Sequence, residues 1–358
     1  MVPLPLYNAG VSETAARTLV VAGALMRPHW LPAEQLQARL PLLSGLRGNS
    51  RVASLTTTEA PLAPATGSLP RELAHDRWLR DAIAVPAGAM AAVRLVAPLD
   101  EQQEGWLIEP CHFHLARDHL VLAAGAARGL DMSEAQRLLD SIRPLLDADA
   151  LVPTLLSPAV WLLAPAKPWQ LEFASAEAAS GRNVAGYLPV GPDERHYRKL
   201  LNEIQMTWHD HPVNQEREAR GELPVNSVWA SGPVTPSALA AWNAAVAQQR
   251  FVLDDSLLQA RLRDDQADWL DALQALDARL HDLLGTDGAP GILLCGDRQA
   301  RWLTRSPSGL AAWPLAVAGR LAGVARGLRR LRPRPGQPPP QARDPKTDAL
   351  AALFTEAE

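Results

Sequence analysis

Short apolar runs along the chain predict buried strands. Residues 18–25, 90–97, 160–163 and 292–295 each combine aliphatic and β-branched side chains with little charge. Runs of about four to eight such residues are typical of strands that are buried on both faces of a sheet. Four core strands are therefore expected in these segments.

Three other segments show the apolar spacing of helices. The pattern is clear in 193–208 and longest in 266–284. A third helix is expected after Ser133, because Ser133 and Gln136 match a capping box. Pro144 should kink or shorten it, since proline lacks the backbone N–H. The side chains expected to face the core are Leu138, Leu139, Ile142, Tyr197, Leu200, Leu201, Ile204, Trp208, Trp269, Leu273, Leu276, Leu280 and Leu283.

Strands alternate with helices through residues 1–332, which indicates an α/β fold with a layered sheet and flanking helices. Segment 333–358 differs, because its prolines and arginines predict an extended linker followed by a detached tail. Apolar residues within 347–358 make that tail a candidate docking peptide for a protein partner. A frayed terminus is the simpler alternative.

Composition narrows the class of protein. The 358 residues are 47% hydrophobic, enough for a substantial core, and the net charge is only −4. This weak charge argues against nucleic acid and anionic membranes as partners. The sequence shows neither a secretion signal nor an apolar run of about 18 residues, so a cytoplasmic location is expected. Cys111 and Cys295 are expected to be thiols there.

The most distinctive stretch is LLNEIQMTWHDHPVNQEREARGELPVNSVW, residues 200–229. It resembles the signature of bacterial regulatory proteins of RpfE type. Residues 109–122 (EPCHFHLARDHLVL) and 291–302 (GILLCGDRQARW) resemble two further blocks of that family. The family usually continues from Trp229 with a W-G-G-like turn, whereas ASGP follows here, so a loop in this region is expected to differ.

A looser resemblance connects the same stretch to archaeal-type cofactor-independent phosphoglycerate mutases, which are alkaline-phosphatase-like. That resemblance implies a two-metal site, with Mn or Mg held by Asp and His at strand ends. This chain departs from the pattern. The first strand runs into Ala22, Gly23 and Ala24, which offer no carboxylate, and the late strand ends in Asp297 and Arg298, where the mutases have Asp and His. We expect Asp297 to pair with an arginine, and no cofactor to be bound.

The resemblance leaves one set of candidate ligand-binding residues, in the region where the mutases handle a phosphorylated acid. Arginine forks, amides and imidazoles can bind phosphate or carboxylate. The alternative is structural: the asparagines fix turns, the arginines lie on a solvated helix and the histidines cap its end. The candidates are His209, His211, Asn214, Arg217, Arg220, Asn226 and Ser227.

The sequence offers two alternatives to this ligand site, a zinc site and a nucleic-acid contact. A zinc site is conceivable where residues of two loops meet, because zinc accepts thiolate and imidazole. Its candidate ligands are Cys111, His112, His114, His209 and His211, with Asp297 as a weaker carboxylate candidate. An arginine-rich segment, 319–334, offers charge for nucleic acid phosphates, but no aromatic residues interleave to stack bases, which favours an ordinary surface helix.

Three functions remain open. The first is a non-catalytic regulatory protein that binds a phosphorylated or carboxylated metabolite. The second is a metal-dependent phosphoglycerate mutase or related phosphotransferase, which needs a cluster of Asp, His and a hydroxyl nucleophile in one cleft. The third is an interaction scaffold that docks a protein partner through its surface tryptophans or its tail. The motifs of P-loop, dinucleotide-binding and nucleophile-elbow enzymes are absent from the sequence.

Overall fold

The structure is a computed structural model that describes residues 18–27, 30, 55–59, 69–98, 102–123, 127, 129–284 and 291–305. The strands in these ranges are β1 (Thr18–Val21), β2 (Leu55–Glu59), β3 (Gly105–Ala116), β4 (His119–Ala123), β5 (Leu151–Ser157), β6 (Val160–Pro165), β7 (Ser227–Val234), β8 (Phe251–Asp254), β9 (Ile292–Cys295) and β10 (Ala300–Arg305). The helices are α1 (Ala74–Ile83), α2 (Met90–Val96), α3 (Met132–Ala148), α4 (Ala176–Ala179), α5 (Glu194–His209), α6 (Pro212–Ala219), α7 (Pro236–Ala247), α8 (Leu258–Leu262) and α9 (Gln266–Leu284).

The first sheet has the strand order β2-β10-β9-β1-β8. Strand β1 runs parallel to both β8 and β9, while β10 is antiparallel to its neighbours. Burial alternates with period two, because Leu19 and Val21 pack on one face of β1 and Val20 packs on the other. Both faces of the parallel strands are therefore covered, as the apolar runs predicted.

The second sheet is antiparallel, with the order β4-β3-β6-β5 and with β7 also paired to β3. The long strand β3 organises it, since β4, β6 and β7 all bond to it. The ASGP segment after Trp229 continues as strand β7 and does not form a loop.

Three cores hold the layers together. Helices α1, α2 and α7 share one core with residues of both sheets, including Val20 of β1 and Leu107 of β3. The other face of the first sheet packs against α8 and α9 around Trp269. The other face of the second sheet packs against α3 and α5, where Trp161 and Trp208 are fully buried. The result is a mixed α/β architecture of two sheets with flanking helices.

One predicted strand is wrong: the run 90–97 forms helix α2, Met90–Val96. Short apolar runs do not distinguish a buried strand from a buried helix. In the helix, Arg94 is buried and bonds Asp76 of α1. A distant ion pair therefore takes part in fixing this segment.

The predicted start of α3 is also wrong. Asp131, not Ser133, caps the helix: its side chain accepts from the N–H of Glu134, and the Glu134 carboxylate accepts from the N–H of Asp131. The capping box exists two residues earlier than expected. Pro144 lies inside α3, and the helix continues to Ala148 without being shortened.

The remaining secondary-structure predictions that lie within the described residues are confirmed. β1, β6 and β9 occur where buried strands were expected, and α5 and α9 match the predicted helices within one residue. No described helix is both long and apolar enough to span a bilayer. The predictions for 319–334 and for the linker and tail, 333–358, lie outside the described residues, as does the side chain of Leu283.

Candidate functional site

The sequence-predicted ligand segment folds as the end of α5, a tight turn, α6 and the start of β7. Asn214 is buried and closes this unit: its amide nitrogen donates to Trp208 O and Val225 O, both at 2.8 Å, and its oxygen accepts from Val225 N at 2.7 Å. Asn226 bonds both the N–H and the carbonyl of Phe113. Both amides are thus engaged by the backbone.

The two arginines of the segment face carboxylates of the protein itself. Arg217 is buried, donates to Leu223 O at 3.0 Å, and lies 3.2 Å from Glu222 and 3.6 Å from Glu134. Arg220 is half-exposed and bonds the same two carboxylates, at 2.5 Å to Glu134 and 3.0 Å to Glu222. These contacts tie α6 to the start of α3.

The remaining members of the set are dispersed. The His209 side chain is 83% exposed, with Asp210 4.0 Å away. His211 caps α6 by accepting from Val213 N, and burial lowers its pKa. Ser227 is buried and accepts from Gln205 at 3.0 Å. The segment is held by its own hydrogen bonds, and its role in ligand binding stays a prediction.

The candidate zinc ligands do not converge within the described residues. Cys111 and His112 are adjacent on β3 and so point to opposite faces. His112 and His114 share a face, with ring centroids 6.4 Å apart, and His112 Nδ1 is bonded to Pro224 O at 2.9 Å. The described part of the chain holds one cluster of three potential metal ligands, and it contains none of these residues.

At the carboxyl end of β1 the chain is buried against helix α8. Ala22 and Ala24 are fully buried. Gly23 has φ +71°, and a Cβ there would lie 2.8 Å from the Cα of Leu258 in α8. Its carbonyl accepts from the indole N–H of Trp269 at 2.8 Å. Helix α8 thus closes directly over this strand end.

At the carboxyl end of β9, arginines surround the single carboxylate Asp297. Arg182 bonds one carboxylate oxygen, and Arg261 bonds the other at 3.0 and 3.1 Å. Arg27 donates to the carbonyl of Arg261 at 3.3 Å. Burial alone would raise the pKa of Asp297, but these three guanidinium groups outweigh it and lower the pKa. We call Arg27, Arg182, Arg261 and Asp297 the arginine cluster. The expected pairing of Asp297 with arginine is confirmed.

A second buried charge cluster lies between α1, α2 and α4. His75, Asp76 and Glu177 converge within 4.8 Å, the spacing of metal ligands. The Arg94 guanidinium contacts all three, at 2.8 Å to Asp76, 3.0 Å to Glu177 and 3.3 Å to His75. Arg94 therefore supplies the positive charge that a cation would supply, and its pKa is raised by Asp76 and Glu177 despite burial.

Beside this cluster is a cavity of about 420 Å³. We call it the Glu109 cavity. Strands β3, β4 and β7 form one side of it, and α2, α4 and α8 contribute to the rest, so it lies between the antiparallel sheet and the helix that follows β8. Its walls are mainly apolar with a few polar groups, which is typical of small-molecule sites. The lining residues are Leu95, Glu109, Pro110, Cys111, Leu122, Ala123, Ala127, Ala159, Ala176, Glu177, Ser180, Trp229, Gln259 and Leu262.

The two carboxyl groups of the cavity have opposite pKa shifts. Burial, and next the Glu177 carboxylate, raises the pKa of Glu109 to about 8. Burial would also raise the pKa of Glu177, but Arg94 and His75 outweigh it and lower the pKa well below the usual range. At pH 7 one carboxyl is neutral and the other ionised. Burial also raises the pKa of the Cys111 thiol, which stays protonated.

Sequence reasoning missed most of these residues. Glu109 is the first residue of segment 109–122, which resembles a block of the RpfE-type family and contains the candidate zinc ligands His112 and His114. Nothing in the local sequence marks a shifted pKa at Glu109. His75, Arg94 and Glu177 are separated by up to about a hundred positions and carry no motif. Their one available signal was charge inside apolar stretches, such as Arg94 within the run 90–97.

This chain has little similarity to known proteins at the level of sequence or structure. No family model matches this chain, and no curated protein matches it. Among solved structures, the chain is similar to the cofactor-independent phosphoglycerate mutase from Thermoplasma acidophilum DSM 1728, at 15% identity over 80% of this chain and 89% of that one, with a TM-score of 0.30. It is also similar to the PH0037 protein from Pyrococcus horikoshii, at 12% identity over 82% and 88%, with a TM-score of 0.35. TM-scores below 0.5 establish neither a common fold family nor a common activity.

Proposed function

We propose that this chain is a non-catalytic regulatory protein that binds a phosphorylated or carboxylated metabolite at the arginine cluster. The observation that carries the proposal is the pairing of Asp297 with Arg182 and Arg261 at the carboxyl end of β9. Ligands of α/β sheets bind beyond the carboxyl ends of the parallel strands. Around Asp297, three guanidinium groups face such a ligand.

Within the described residues, the same edge does not assemble the features that metal-dependent phosphoryl transfer needs, and Asp254 at the end of β8 is paired with Arg279. Two-metal catalysis requires several carboxylates and imidazoles around one cavity. Here the end of β1 is sealed by α8, and the carboxylate at the end of β9 is neutralised by guanidinium groups. Guanidinium repels a cation and does not ligate it.

The arginine cluster has the chemistry of an anion site. Three guanidinium groups face one carboxylate of the cluster, while Asp264 contacts Arg27 at 3.4 Å. Arg27 and Arg182 remain about a quarter exposed, at 27% and 28%, so solvent reaches them. Arginine binds phosphate and carboxylate through paired N–H donors.

Titration calorimetry with 3-phosphoglycerate, in buffer containing a chelator, tests the proposal. We expect saturable binding without metal, because the arginines supply the charge. Arg182→Ala should weaken it by about tenfold or more, the usual effect of removing a charged hydrogen bond. The matched control is Arg137→Ala, which removes an exposed arginine paired with Glu216 and should leave binding unchanged.

A third variant, Arg220→Ala, separates the arginine cluster from the sequence-predicted segment. Loss of binding in Arg220→Ala but not in Arg182→Ala would move the site to residues 200–229. Binding that needs added Mn or Mg, together with mutase turnover, would overturn the non-catalytic proposal. If no phosphorylated or carboxylated probe binds, the proposal that the chain binds such a metabolite is overturned, and the protein-scaffold alternative is favoured.

A further inference from the structure

We propose that the Glu109 cavity is a second ligand site, separate from the arginine cluster, and that it binds a small organic cation: a primary ammonium group carried on an apolar body. The inference rests on the shape of the cavity, its charge, and a buried hydroxyl left without a hydrogen bond. Neither the proposed regulatory function nor the anion site depends on it.

The walls of the cavity select for an apolar body. Nine of the fourteen described residues that line it are Ala, Leu, Pro or Trp, and Trp229 and Leu262 are buried. A volume of about 420 Å³ suits a small organic molecule and far exceeds what a single metal ion requires. A fully hydrated inorganic ion would gain nothing from walls that cannot hydrogen-bond.

Among the described residues that line it, the cavity has carboxylates and no cationic side chain. Glu109 and Glu177 both line it, and Asp76 lies behind Glu177. Arg94 bonds Asp76 and Glu177 and so is shared between two carboxylates already. No Arg, Lys or His is among the described residues that line the cavity. Once Glu109 ionises, its carboxylate can pair with the ammonium group of a ligand in the cavity.

An unsatisfied hydroxyl gives independent evidence for a polar ligand. Ser180 lines the cavity, is only 4% exposed, and its Oγ has no hydrogen-bond partner. Buried polar side chains are normally bonded, so this hydroxyl is available to a polar group of a ligand that enters the cavity. An ammonium group has three N–H donors, which suits the oxygens of Glu109 and Ser180 as acceptors.

The ionisation of Glu109 should couple binding to pH. The charged and titratable groups facing Glu109 are Glu177 of α4, Arg94 of α2 and Cys111 of its own strand. The pKa of Glu109 is about 8 in this structure, so the carboxyl is protonated at pH 7. A bound ammonium favours the carboxylate and expels the proton. Affinity should therefore rise about tenfold per pH unit from pH 6 towards 8.

Calorimetry with a matched series of hexyl compounds tests the proposal. n-Hexylammonium should bind, whereas the neutral n-hexanol and the anionic n-hexanoate should bind at least about tenfold more weakly. Two buffers of different ionisation enthalpy report proton release, expected to be about 0.9 per ligand at pH 7 from a pKa near 8. n-Hexylammonium carries no group that the arginine cluster recognises, so its failure to bind leaves the anion proposal intact. Because n-hexanoate does carry one, its binding is measured in Arg182→Ala.

Two substitutions locate the site. Glu109→Gln keeps the shape of the side chain and should abolish both the proton release and the preference for the ammonium probe. Glu104→Gln is the matched control, since Glu104 is exposed just before the same strand and should change neither. Thermal unfolding of each variant checks that the fold is intact.

Three results would overturn the proposal. The first is equal binding of the three hexyl probes. The second is ammonium binding that survives Glu109→Gln with proton release unchanged. The third is no saturable binding of n-hexylammonium up to about 10 mM at pH 8. Stoichiometric binding of Zn or Mn that Glu109→Gln abolishes, with no response to the ammonium probe, would replace the organic cation by a metal.

Discussion

At the residue scale, the functional character of this chain depends on side chains whose chemistry is set by distant partners. Asn214 has the identity of a ligand-binding residue, yet three backbone hydrogen bonds occupy its amide. Glu109 has an unremarkable sequence context and a strongly raised pKa. A sequence gives residue types and local spacing, whereas these properties arise from Glu177, Val225 and other neighbours that folding brings together.

Glu109 should make stability depend on pH. Below about pH 4 both the folded and unfolded chains hold its proton, because the ordinary pKa of a glutamate is about 4.3. Between that value and a folded pKa near 8, the folded chain holds a proton that the unfolded chain releases. Stability from this group therefore falls as pH rises through that window.

Glu109→Gln removes that dependence. Urea unfolding should show the variant more stable than the parent by up to about 4–5 kcal/mol at pH 8, with the difference shrinking to about 1 kcal/mol at pH 5. A difference that is constant over this range, or one that grows at low pH, would show that the pKa of Glu109 is not raised.

Arg94 is the second residue with a large expected effect. Arg94→Met leaves Asp76 and Glu177 buried without their positive partner, which should cost about 3–5 kcal/mol of unfolding free energy. The matched control is Arg137→Met, whose exposed pair with Glu216 should contribute nothing measurable. Equal denaturation midpoints for the two variants would show that Arg94 does not compensate the cluster.

At the scale of elements, apolar periodicity predicted those helices that pack a single face against a core. Helices α5 and α9 each pack one stripe against a core, so their apolar spacing fixed their extent almost to the residue. The run 90–97 is apolar nearly all round, and in that case strand and helix have the same signature. Its buried Arg94 pairs with α1, which no local pattern reveals.

Helix α3 offers a test of where an element begins. The sequence suggested Ser133 as its cap, while the structure has Asp131. Asp131→Ala should therefore lower the unfolding free energy by about 1 kcal/mol, the usual value of a capping side chain. Ser133→Ala, inside the first turn, should change it little. If Ser133→Ala instead lowers the unfolding free energy more than Asp131→Ala does, Ser133 is the cap, as the sequence suggested.

At the scale of the whole molecule, the candidate sites exist only because two sheets pack together. Strand β1 pairs with β8 more than two hundred residues later, and α8 then closes over the end of β1 and contributes to the Glu109 cavity. Alternation of strands and helices predicted an α/β fold, but not this long-range pairing or a second, antiparallel sheet. The cavity was for that reason beyond sequence reasoning, and so was the identity of the arginines that pair with Asp297.

We propose that arginines, and not metal ions, balance the buried carboxylates near the sheet edge and the cavity. Arg94 does so for Asp76 and Glu177, and Arg182 with Arg261 does so for Asp297. The most direct measurement is the metal content of the purified protein, by mass spectrometry, after equilibration with Mn, Mg and Zn and removal of unbound ions. We predict far less than one metal ion per chain, whereas a stoichiometric metal lost in Glu177→Gln or Asp297→Asn would contradict the account.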